Sequence, residues 1–141
     1  MSHRHLTDPS PAIIDSDAAA ALLEPLTALV AEAGEAILAI RNDALAVSRK
    51  TDGSPVTEAD LAADRIIADG LARLAPGVRT LSEERAGAAA PPFPGAFFVI
   101  DPLDGTKEFI AGRDEFTVNL ALVIDGAPVV GVVGAPALGL V

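Results

Sequence analysis

The stretch that most constrains this chain is Ala96 to Phe109, Ala-Phe-Phe-Val-Ile-Asp-Pro-Leu-Asp-Gly-Thr-Lys-Glu-Phe. A short apolar run bounded by turn residues reads as a buried strand over 96–100. Pro102 has no backbone donor and should stop a central strand, so the strand is expected to end at Asp101. Gly105 and Thr106 then read as the start of a helix. Two carboxylates three residues apart are therefore expected on a stiff turn at a strand end, with the next amides pointing out of a helix N-terminus. Carboxylates held close repel, so a proton or a cation must sit between them. Hard oxygen ligands suit Mg²⁺, which keeps several waters and also takes phosphate oxygens. Amides at a helix start suit the phosphate itself. Taken alone, the same residues read equally well as a strand-to-helix turn in which Asp101 and Asp104 only cap the helix.

Composition narrows the chemistry. The 141 residues carry a formal charge of -10 and contain no Trp, Tyr or Cys. A duplex-binding face needs clustered Lys and Arg, and single strands need aromatic platforms, so a nucleic-acid polymer is not an expected partner. An acidic chain that handles phosphate is expected to do so through a cation. Without Cys, disulfides, thiol chemistry and Cys-based zinc sites are excluded. His3 and His5 sit in a polar N-terminal segment that reads as a tail rather than a metal site. No apolar run reaches the length of a membrane span, and the N-terminus has no signal-like apolar core, so the expected compartment is the cytoplasm.

Along the chain, 1–17 reads as a mobile leader and 18–141 as one domain. Leu22, Leu23, Leu26, Leu29, Val30, Ala33, Ile37 and Ile40 recur at helical spacing over 18–42. Pro25 belongs in the first turn of the main helix, which makes 18–24 a separate turn. Gly34 inside that pattern marks close packing. Val47 to Lys50 can be a short strand, and Thr51-Asp52-Gly53-Ser54-Pro55 is a turn, either a lid from which Lys50 reaches an anion or a plain hairpin tip. Thr57 reads as the N-cap of a second helix with Asp60 in a capping box. Leu61, Ile66, Ile67, Leu71 and Leu74 are its expected core face. Val78–Leu81 reads as a strand that ends in a second acidic pair, Glu83-Glu84. Glu83 can reach the Asp101 cluster only if this strand and the 96–100 strand are neighbours; otherwise it sits in a solvated loop. Phe116 to Ile124 and Pro128 to Gly134 read as a hairpin around Asp125-Gly126.

Taken together, Asp52 to Asp60, Leu81 to Glu84 and Asp101 to Thr106 resemble, in order, three motif blocks of the inositol monophosphatase-like family of metal-dependent phosphatases. Lys107-Glu108-Phe109, Glu115 to Asn119 and Gly131 to Pro136 resemble its branch of CysQ-type 3'(2'),5'-bisphosphate nucleotidases. The resemblance covers about Leu26 to Val141 and implies an α+β fold: a mixed, largely antiparallel sheet packed against helices. It implies Mg²⁺ as cofactor, in two or three ions. Glu83 would be shared between metal and nucleophilic water, Asp101 would bridge two ions, Leu103 would give its backbone carbonyl, and Asp104 would bind the second metal. Gly105 and Thr106 would hold the phosphate, beside Glu83, Leu103 and Asp104. Thr106 with Asp60 or Glu83 would orient the attacking water, and Lys50 would lie on a loop tied to a further ion.

The reaction so implied removes the 3'-phosphate of adenosine 3',5'-bisphosphate, giving AMP and phosphate, with a sulfated nucleotide as a second substrate. Inositol- and fructose-phosphate hydrolysis, or a non-catalytic phospholigand-binding module, are the alternatives. The implied partner is a small phosphorylated nucleotide, with homodimerisation and peripheral inner-membrane association also compatible. Members of the family continue into a second domain whose Trp-Asp motif completes the second metal site. With Val141 as the last residue, this chain is expected to bind Mg²⁺ weakly and hydrolyse little.

Overall fold

A computed structural model describes residues 14–47, 55–82 and 95–141. The first helix, α1 (Ser16–Ala21), is capped by Asp15, whose side chain accepts from the Ala18 amide at 2.8 Å. Ser16 and Asp17, placed in the leader by sequence, are thus helical. In α2 (Leu23–Val47) Pro25 is the third residue, in the first turn where its missing N–H costs nothing. This helix runs past the expected stop at Asn42. Ala44-Leu45-Ala46 are good helix formers, so Val47 closes a helix and does not begin a strand.

The third helix, α3 (Pro55–Leu74), begins two residues earlier than expected. Proline is favoured at the first helical position, so Thr57 lies inside the first turn rather than at the N-cap expected of it. Ala59, Ala63, Ile67 and Leu71 are at most 1% exposed and recur every four residues. Leu61 lies two residues off that stripe, about 200° around the axis, and is 59% exposed. Leu74, in the last turn of α3, and Leu23, at the start of α2, are also exposed. None of the three belongs to the core face that the apolar pattern suggests.

The sheet comprises β1 (Arg79–Ser82), β2 (Ala96–Asp104), β3 (Thr117–Ile124) and β4 (Ala127–Gly134), with a short helix α4 (Thr106–Ile110) between β2 and β3. Their order is β1-β2-β3-β4. β1 pairs parallel to β2, and the other two pairs are antiparallel. The sheet is therefore mixed and largely antiparallel, as expected. Asp125 and Gly126 both have positive φ, 50° and 82°, the type I′ geometry that matches strand twist.

One face carries the core. Phe98 pairs with Leu122 and Ile100 with Leu120, which pairs in turn with Val132. These side chains meet Leu26, Val30 and Ile37 of α2 and Ile67 and Leu71 of α3. Two glycines let α2 close on the end of β4. A Cβ at Gly34 would stand 2.9 Å from the Pro136 ring, and one at Gly134 would stand 2.6 Å from Val30 Cγ1. The close packing expected at Gly34 is there.

Candidate metal and phosphate site

The strand does not stop at Asp101; β2 runs to Asp104. It continues through Pro102 because the ladder is interrupted there. Asp101 pairs with Asn119 and Asp104 with Thr117, so β2 advances three residues while β3 advances two. That is a one-residue bulge. In a regular strand, residues three apart face opposite sides. The extra residue returns Asp104 to the side of Asp101. Their partners share that side as well, since the Asn119 amide donates to Thr117 Oγ1 at 3.1 Å. Asp101, Asp104 and Asn119 line one cavity of about 310 Å³, floored by Val99, Ala121 and Gly131 on the sheet face away from the core. Asp101 is half-buried and Asp104 exposed.

The turn that follows is built on Gly105, with φ 90° and ψ 44°. Gly105 is the N-cap of α4 and, as a glycine, offers no side-chain cap. Asp104 stands one residue before the N-cap position and Asp101 four before it. A side chain at 105 would be strained by the positive φ, and its Cβ would stand 3.0 Å from the Glu115 carbonyl oxygen and 3.1 Å from Phe116 Cα. Thr106, the first residue of α4, is exposed, and Leu103 is 7% exposed. Gly105, Thr106 and Leu103 flank the cavity without lining it. Asp60 is half-buried on α3, which packs against both β2 and α4, but it does not line this cavity either.

Glu83 and Lys50 lie outside the described residues. The condition set for Glu83 is met: β1 and β2 are neighbours, with Ser82 beside Ile100, one residue before Asp101. Among the described residues no group of three or more His, Cys, Asp or Glu gathers as a metal cage. The described donors are two carboxylates, main-chain carbonyls and an amide, all hard oxygens of the kind that suit Mg²⁺ rather than softer metals.

Sequence reasoning missed three residues around the site. Thr117 and Asn119 were legible in principle, because strand alternation puts both opposite Val118 and Leu120. Arg41 was legible too, falling four residues after Ile37 on the buried stripe of α2. It is 9% exposed, donates to the Arg113 carbonyl at 2.8 Å and lies 3.4 Å from Asp114.

Residues 19–141 match the model of the inositol monophosphatase family. The 3'(2'),5'-bisphosphate nucleotidase CysQ of Salmonella typhimurium is 46% identical over 120 residues, covering 83% of this chain and 49% of that protein. Among solved structures, inositol monophosphatase II from Staphylococcus aureus superposes with a TM-score of 0.70 at 30% identity, over 84% of this chain and 42% of the other. CysQ from Bacteroides thetaiotaomicron gives a TM-score of 0.64 at 34% identity, over 82% and 42%. The chain thus spans about half the length of the curated relatives it matches. With the family's fold, its motif blocks in order and a match over most of its length, this chain belongs to the inositol monophosphatase family.

Proposed function

We propose that this chain carries the cation- and phosphate-holding part of a Mg²⁺-dependent phosphatase acting on a small phosphorylated nucleotide, adenosine 3',5'-bisphosphate before its sulfated analogue. One observation carries the reading: a bulge turns Asp101 and Asp104 into the same cavity, on the face the core does not use. The likeness to CysQ proteins supports the choice of substrate.

Asp101 and Asp104, the Leu103 carbonyl and Glu83 hold the cations. When bound, those ions lower the pKa of a water and balance charge on the phosphate. Gly105 and Thr106 present backbone amides to the phosphate oxygens. The Thr106 hydroxyl, with Asp60 or Glu83, orients water in line with the leaving 3'-oxygen, so that positioning rather than a covalent intermediate drives the transfer. AMP and inorganic phosphate are the products. Lys50 approaches the anion from its loop.

Thermal unfolding with and without Mg²⁺ tests the reading. A ligand at about 100 times its dissociation constant stabilises by about 2.7 kcal/mol. Mg²⁺ is expected to raise Tm in the wild type and to do so less in Asp101→Asn and Asp104→Asn. Adenosine 3',5'-bisphosphate added with Mg²⁺ should raise it further than inositol 1-phosphate does. Equal Mg²⁺ effects in all three proteins would refute the metal site. A larger effect of inositol 1-phosphate would favour the second reading, an inositol-type phosphatase, which the superposition on the staphylococcal enzyme supports.

A further inference from the structure

Arg41 continues a stripe on α2 that includes Leu26, Val30, Ala33 and Ile37, each at most 1% exposed. A guanidinium is always charged, and removing it from water is costly unless its donors are met. Among the described residues, the partners of Arg41 lie in one place. Its Nη2 donates to the Arg113 carbonyl, and its Nη1 lies beside Asp114 Oδ1. Its Cζ stands 5.0 Å from the centre of the Phe116 ring and 5.6 Å from that of Phe109, both within cation–π range. The two rings meet edge to face at 5.2 Å. All four partners belong to the segment that follows Gly105.

That segment cannot place itself. α4 has five residues, far short of the roughly 12–15 at which an isolated helix begins to hold in water. Its position must come from what it packs on. Phe109 is its one buried residue, and the Phe109 amide donates to the Gly105 carbonyl at 2.9 Å. Gly105 in turn abuts the backbone of Glu115 and Phe116. The loop that Arg41 grips is therefore the surface against which the Gly105 turn is seated.

We propose that Arg41 is a positioning residue: from α2 it clamps the 109–116 segment and so fixes the backbone of Gly105 and Thr106 and the direction of Asp104. The link to Asp104 rests on the metal role proposed above; the clamp itself does not. Two measurements separate them. In Arg41→Met, which fills similar volume without charge, amide hydrogen exchange at Phe109, Ala111 and Arg113 should speed up while Leu120 and Leu122 in β3 are unchanged. Arg41→Lys should fall between Arg41→Met and the wild type. The Mg²⁺ dissociation constant, from titration calorimetry, should rise about tenfold or more in Arg41→Met, the usual cost of losing an outer partner of a metal ligand. Val30→Ala, in the same helix but away from the turn, should leave Mg²⁺ affinity at the wild-type value. Unchanged exchange in Arg41→Met overturns the clamp. Faster exchange with unchanged Mg²⁺ affinity, or an equal loss in Val30→Ala, overturns its link to the site. A wild type that binds no Mg²⁺ refutes the metal reading and that link with it, while the exchange data still decide the clamp.

Discussion

Replacing Gly105 with alanine separates two costs that usually arrive together. Gly105 and Gly77 hold nearly the same φ, 90° and 93°. A Cβ at Gly77 meets nothing within 4 Å, whereas one at Gly105 meets the Glu115 carbonyl oxygen at 3.0 Å and Phe116 Cα at 3.1 Å. Gly77→Ala should therefore report backbone strain alone, about 1–2 kcal/mol. Gly105→Ala adds the displacement of two backbone atoms next to a fully buried Phe116, an overpacking cost of about 1–3 kcal/mol. The total for Gly105→Ala is about 2–5 kcal/mol, a substantial share of the 5–15 kcal/mol that holds a typical domain. The chain has no Trp or Tyr, so urea unfolding is best followed by far-UV circular dichroism, with an unchanged slope as the check that only stability has moved. At about 3–5 °C per kcal/mol, the two variants should differ in Tm by at least about 3 °C. Equal losses at 77 and 105 would mean that the loop yields freely to a side chain, and that Gly105 is not seated against it.

Other substitutions test the packing around this turn. Gly34→Val should cost about 1–3 kcal/mol, because the Pro136 ring opposite cannot rotate away as a longer side chain would; a neutral result in thermal unfolding would deny the close approach of α2 to the 3-10 turn Pro136–Leu138 that follows β4. Ile67→Ala should cost about 2–5 kcal/mol, while Leu61→Gln should stay within about 0.5 kcal/mol. Comparable losses in urea midpoints at 61 and 67 would mean that α3 presents a different face to the sheet.

Where one physical signal dominated, the sequence was readable. Asp125-Gly126 between two alternating apolar runs forms the hairpin that its left-handed preference demands. Pro25 falls in a first helical turn, and Gly34 meets a neighbour at contact distance. Where two signals competed, it was not. Thr57 and Pro55 are both helix-start residues, and the proline won. Leu61 has the chemistry of a core residue and the angular position of a surface one. Pro102 was read as a strand terminator because a proline removes a ladder donor; the strand instead absorbs it in a bulge, whose place depends on how β3 pairs and not on β2 alone. For the same reason the Glu115 to Asn119 motif does not by itself mark Asn119 as the residue across from Asp101.

The bulge also determines what lies between the two acids. An Asp-x-Asp spacing would put both carboxylates on one side without any irregularity, since alternate residues in a strand already point the same way. Its intervening peptide groups, however, would be consumed by regular pairing. Here neither Pro102 nor Leu103 has a cross-strand partner in the β2–β3 register, as expected where a bulge leaves a residue out of the ladder. The longer spacing adds no acid. It sets two residues, Pro102 and Leu103, between the carboxylates and outside the regular register, so that the spacing of the acids follows from the backbone irregularity and not from the side chains between them.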